Sequence, residues 1–484
     1  MRPATAGVII VVKMRRISLG LLVVVLGLPA AAAGQPDGTA GAAYYFLLGR
    51  EHEAAGDIEE AIAAHRQAIQ LAPRSAELRA ELAGLYARQE RAADAVALAE
   101  EALTFDRLNR EANRTLGSVY AALAEARRPL RPDESPSQYL ARAITALERY
   151  REAGPSDIGV DLTLGRLYLQ TGAYDKAIPL LRQIADDQPE YAEIFILLAA
   201  AEEGAGRTSE AVRALQQGLA HNPRFFRGFV RLAELSEKQG DWQQAADAYA
   251  RAQQLNTRGV DFTPRRAAAL INAGRPEDAR DLLTAAVAGP DADPMLLYLY
   301  AAAQRRAGDL DEAEAAARRL RTAAPDDPRG MYVLAQVLEA RGDVRGAEGA
   351  LRDLIQKHPK DATALNYLGY MFAERGERLE EAVALVQRAL EVDPGNPAFL
   401  DSLGWAYFQL GRFELADAPL TEAAEKMPNS SVVQDHLGDL RFRQERFAEA
   451  AAAWERSLAG DGDSIDRARI EKKIRDARSR MELP

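Results

Sequence analysis

An alanine that returns at nearly every step of 34 residues constrains this chain more than any other feature of it. It stands at Ala61, Ala95, Ala143, Ala177, Ala211 and Ala245, and again at Ala279, Ala313, Ala347, Ala382, Ala416 and Ala450. The text around it recurs as well: "AIAAHRQAIQLAP" at 61–73, "AIPLLRQIADDQP" at 177–189, "AVRALQQGLAHNP" at 211–223 and "AVALVQRALEVDP" at 382–394. About twelve residues before most of these alanines lies a second small residue, as at Gly49, Ala83, Gly165, Ala301, Gly404 and Gly438. Self-similarity at such a period marks an array of stacked units, not a set of separate globules.

Each unit reads as helix, tight turn, helix. The turn often holds Gly-Asp or Gly-Arg, as at Gly56-Asp57, Gly240-Asp241 and Gly411-Arg412, and a proline closes many units, as at Pro73, Pro189 and Pro394. Small residues at the two marked positions let paired helices approach closely. Proline past the second helix cannot continue it and helps turn the chain into the next unit. No unit can bury its apolar face alone, so neighbours supply the core. With 48% hydrophobic but only 7% aromatic residues, the composition suits thin helical layers.

On these residues the chain resembles the tetratricopeptide repeat family, with about twelve units between Ala42 and Gly462. The resemblance implies an all-α, right-handed superhelical solenoid whose first helices line an inner surface that holds another polypeptide. Three departures stand out. The third unit carries an insertion over about 121–138, "EARRPLRPDESPS" at its heart, whose three prolines rule out continuous helix; it is either a surface loop or a lateral docking arm. The unit around Arg266 has arginine where leucine is usual, which predicts a bend or loosening. Over 463–484, Ile470, Ile474, Ala477 and Met481 share one face with Lys and Arg opposite, as expected of a capping helix.

The chain start reads as a secretory leader over 1–33, followed by a short linker, 34–41. From Met14, which would serve as the true start, a basic "MRR" leads into an apolar run ending at Leu28 and small residues up to Ala33. The run is short for a membrane span, so the leader is either cleaved or kept as an N-terminal anchor. Both outcomes predict export, to the periplasm or the envelope. A formal net charge of -11 argues against nucleic acid as a partner. The absence of cysteine excludes disulfides and thiolate sites, and the five scattered histidines show no metal-ligand spacing. No phosphate-binding glycine loop, zinc motif or serine elbow appears, so neither enzyme nor cofactor is expected.

The inner positions of the first helices fall in three zones. The N-terminal units offer Phe46, Arg50 and Arg166; the middle ones Ile196, Leu197, Tyr298 and Tyr332. The C-terminal units offer Asn366, Tyr367, Tyr370, Asp401, Ser402, Trp405, Asp435, His436 and Asp439. Aromatic bodies beside amide and carboxylate tips suit an extended peptide. The aromatics could equally pack within the stack, whereas the clustered acids repel one another and predict a surface left open to a ligand. The basic and Asn set with which some tetratricopeptide modules clamp a terminal carboxylate is not supplied. Residues 362–458 resemble envelope tetratricopeptide proteins of Gram-negative bacteria, among them adaptors that deliver substrates to a protease, but the sequence has no cysteine to match those adaptors' lipid-bearing one. The expected role is an exported scaffold or adaptor for other proteins; the alternative is a component of an exopolysaccharide or outer-membrane export machine.

Overall fold

The computed structural model describes residues 38–130, 133–155, 157–257, 259–462 and 465–481. The expected leader lies outside them, while the end of the expected linker already belongs to the first helix, Gly38–Ala55. Among the described residues there are 25 helices and no strand. Twelve antiparallel pairs follow one another, and a single helix, Arg467–Met481, closes the series. The chain divides at Gly228 and Phe229 into two compact units. Each is an all-α stack of helical hairpins.

Local chemistry sets the ends of the elements. Many first helices open on a side chain that accepts from a free backbone N–H: Asp157 from Val160, Asp361 from Ala364, Asn396 from Ala398 and Phe399. Between paired helices the chain turns through the left-handed region, where glycine serves at Gly240 and Gly411. Glu90 and Glu445 take this conformation without glycine's freedom.

Packing explains the alanine period. All twelve marker alanines are 0% exposed. The earlier small residue is just as constrained: a Cβ on Gly404 would lie 2.4 Å from Leu420 Cγ, and one on Gly438 2.4 Å from the Trp454 ring. The same holds at Gly117, against Leu147. One helix thus offers a notch, and its partner fills it with a large side chain.

The three departures resolve separately. Helix Arg110–Ala126 runs into the insertion and helix Pro136–Glu152 begins inside it, behind a capping box of Ser135 and Gln138. The connection is tied to its own hairpin, since the buried Tyr139 hydroxyl accepts from the Leu130 N–H at 2.6 Å and donates to Glu134. Tyr139 also stacks on Tyr120 at 5.7 Å. At the weak unit the helices shorten to 10 and 9 residues, Thr263–Asn272 and Pro276–Thr284. Ala267, Leu270, Ala279 and Leu283 nevertheless stay buried, so the core there is continuous. The closing helix packs through Ile470, Ile474 and Ala477, but Met481 is 47% exposed and does not join them. It sits in the last turn, beyond the reach of the final pair.

Candidate functional site

In the second unit two stripes run along successive first helices. One holds Tyr298, Tyr332, Asn366, Asp401 and Asp435; the other, four residues on, includes Tyr370, Trp405 and Asp439. Side chains at i and i+4 share a helix face, so each helix contributes an aligned pair.

At the C-terminal end of these stripes the charged groups are paired from within, although the buried Trp405 Nε1 donates to no partner. Asp401 and Ser402 are 5% and 3% exposed. Both carboxylate oxygens of Asp401 accept from the buried His436 Nδ1, at 3.0 and 3.1 Å, and Ser402 Oγ donates to the Ala398 carbonyl. The His436 ring stacks on Trp405 at 4.0 Å, nearly parallel, and Trp405 stacks on Phe408 at 4.9 Å. Glu374 lies 3.8 Å from the other imidazole nitrogen. Burial alone would push the imidazole's pKa down, yet the charge and hydrogen bond of Asp401, then Glu374, hold it up, at about 10. The nearby His436 cation leads in drawing the Glu374 carboxyl below its usual range, against the effect of burial. His436 is therefore a cation near neutral pH, held between two carboxylates and a Trp face.

The remaining acids are also paired. Lys473, from the closing helix, places its Nζ 2.7 Å from Asp435 and 2.6 Å from Asp439. Burial, with Asp435 adding to it, raises the Asp439 carboxyl, and Lys473 works against both. The expectation that Asp401, Asp435 and Asp439 repel one another over an open surface is thus corrected. Each has a cationic partner supplied by another helix. Trp405, at 9% exposed, belongs to the packed interior.

Further toward the N-terminal end of this unit the stripes remain open. Tyr298, Tyr332, Asn366, Tyr367 and Tyr370 are half-buried. Tyr332 and Tyr367 meet ring to ring at 5.4 Å, Arg329 covers Tyr298, and the Tyr367 hydroxyl donates to Glu339. Burial raises the pKa of Tyr332, Tyr367 and Tyr370. The Asn366 side-chain oxygen is buried and accepts no hydrogen bond within the chain, the state that a ligand N–H would relieve.

In the first unit, Ile196 and Leu197 are half-buried on helix Glu193–Gly204, Phe46 lies 5.8 Å from the His65 ring, and Arg50 pairs with Glu81. Arg166 is exposed. All five belong to the first unit. The sequence reading missed Glu374 and Lys473. Glu374 stands at i+4 from Tyr370 and could have been found by continuing the stripe. For Lys473, which follows a separate linker, no spacing signal existed.

Comparison with known proteins places this geometry. Models described as tetratricopeptide repeat match residues 46–110, 139–201, 169–227, 228–256, 294–337, 332–397 and 375–431, well over half of the chain. Cellulose synthase operon protein C of Xanthomonas axonopodis pv. citri is 30% identical over 294 residues, 56% of this chain but 16% of that protein. The TPR repeat-containing protein PA4667 of Pseudomonas aeruginosa is 36% identical over 67 residues, 14% of this chain and 11% of its own length. The chain therefore spans less than a fifth of either relative. Among solved structures, yeast Tom70 is 14% identical with a TM-score of 0.47, covering 91% of this chain and 96% of its own. The Naa15/Naa10 complex bound to HypK-THB is 16% identical, with a TM-score of 0.43, covering 86% and 68%.

Proposed function

Since the chain belongs to the tetratricopeptide repeat family, we propose that it is a non-catalytic scaffold that holds a partner polypeptide against the open stripe of its second unit. One observation carries this reading: on the same series of first helices as the half-buried Tyr298, Tyr332, Tyr367 and Tyr370, the Asn366 side-chain oxygen is buried and has no partner. An extended peptide would stack its side chains on these rings and donate a backbone N–H to Asn366. Export through the N-terminal leader and work in the cell envelope complete the proposal. The support is the three-part form of residues 14–33 and the similarity to a bacterial cellulose synthase operon protein.

That similarity also favours a second reading, in which the solenoid bridges parts of an exopolysaccharide export or assembly machine. Affinity capture from an envelope fraction, read by mass spectrometry, separates the two. A secretin or glycan porin among the captured proteins supports the second, and a processing protease or its substrates the first. In both, Tyr332→Ala and Asn366→Ala weaken capture about tenfold each with melting unchanged. Equal capture by the variants and the parent would remove the proposed surface.

A further inference from the structure

We propose that the outer face of the closing helix, Arg467–Met481, docks on an anionic phospholipid bilayer. This helix carries seven basic and two acidic side chains in a chain whose net charge is -11. Three of the basic groups are committed inside the molecule: Lys473 to Asp435 and Asp439, Arg478 to Glu455, and Arg467 to the Leu458 carbonyl. The side chains of Arg469, Lys472, Arg475 and Arg480 are exposed and make no ion pair among the described residues. Helical periodicity puts Lys472 and Arg475 opposite the buried Ile470, Ile474 and Ala477, and Arg469 and Arg480 on one flank beside the exposed Asp476, so the outer face carries four cations against one carboxylate.

Shape decides the class of partner. The basic groups lie on the solvent side of a helix whose other face covers the last hairpin. A peptide or small anion needs concavity for its contacts; a plane of phosphates does not. The acidic remainder of the chain would repel a polyanion lying along its length, whereas a bilayer meeting only this end face is attracted by the local cations. The contact does not depend on the peptide groove.

Vesicle flotation of the full chain tests this, with phosphatidylcholine alone and with about a third phosphatidylglycerol. Binding is expected only to the anionic vesicles, falling steeply with added salt. Joint replacement of Arg469→Gln, Lys472→Gln, Arg475→Gln and Arg480→Gln should weaken it on the order of a hundredfold. The melting temperature should stay put because the buried face is untouched. A second variant with the three arginines changed to Lys keeps the charge and should keep the binding. Equal binding to neutral vesicles, no binding to anionic ones, or full binding by the neutralised variant overturns the proposal. So does capture by an acidic polypeptide in the absence of vesicle binding.

Discussion

At His436 the structure turns an expected contact residue into a structural cation. One imidazolium joins three successive first helices through Glu374, Asp401 and Trp405. Truncating a partner of a buried charge leaves it uncompensated, so Asp401→Ala should cost about 3–5 kcal/mol, and Trp405→Ala a similar amount through the cavity it opens. Both should lower the melting temperature of the second unit. An unchanged melt for either variant would return that side chain to the ligand surface. The pH dependence follows from the raised imidazole pKa. Unfolded His titrates near 6.5, so the stabilisation is complete below that pH and is lost as pH rises through about 10. The depressed Glu374 acts in the opposite direction, its contribution being lost as pH falls below the usual carboxylate range. Hydrogen exchange in helices 362–375, 397–409 and 431–443 should therefore be slowest, after correction for intrinsic rates, between about pH 5 and 6.5. A His436→Gln variant should lose the alkaline arm of that profile.

For single helices, much was legible beforehand. Hairpin order, the notch residues and the closing helix all followed from periodic small and apolar side chains, because packing between neighbours leaves a local mark at a fixed spacing. The pairing of the acids was not legible, since Lys473 reaches Asp435 and Asp439 across a separate connection and its sequence neighbours say nothing about its direction. This gives a direct test on the closing helix. Lys473→Ala leaves two close carboxylates without their cation and should cost about 1–3 kcal/mol. Lys472→Ala, one residue away but exposed, should change stability by less than about 0.5 kcal/mol. Equal effects in thermal melts of the two variants would break the assignment. At the last turn, Glu445 holds φ 62°, where an L-residue is strained by about 1 kcal/mol. Glu445→Gly should accordingly leave the melting temperature level or raise it slightly, the relief being offset in part by glycine's larger unfolded-state entropy.

Across the whole molecule, the repeat architecture makes stability a matter of neighbours. Each hairpin buries its faces only against the adjacent ones, so damage should spread along the stack and fade, not collapse the chain in one step. Gly404 is the place to test this. A Cβ there would meet Leu420 Cγ at 2.4 Å and the Leu420 backbone nitrogen at 3.1 Å. The side chain could shift, but the backbone of the paired helix has to move with it. Gly404→Val should therefore overpack the hairpin 397–426, by about 1–3 kcal/mol or more. Its effect should reach both neighbours, including the His436 cluster, which spans the same helices. Hydrogen exchange should show protection lost over about 362–459 and retained over 38–221, in the first unit. Uniform loss along both units would mean that the array folds as a single cooperative body, and that each hairpin's stability cannot be read from its own neighbours.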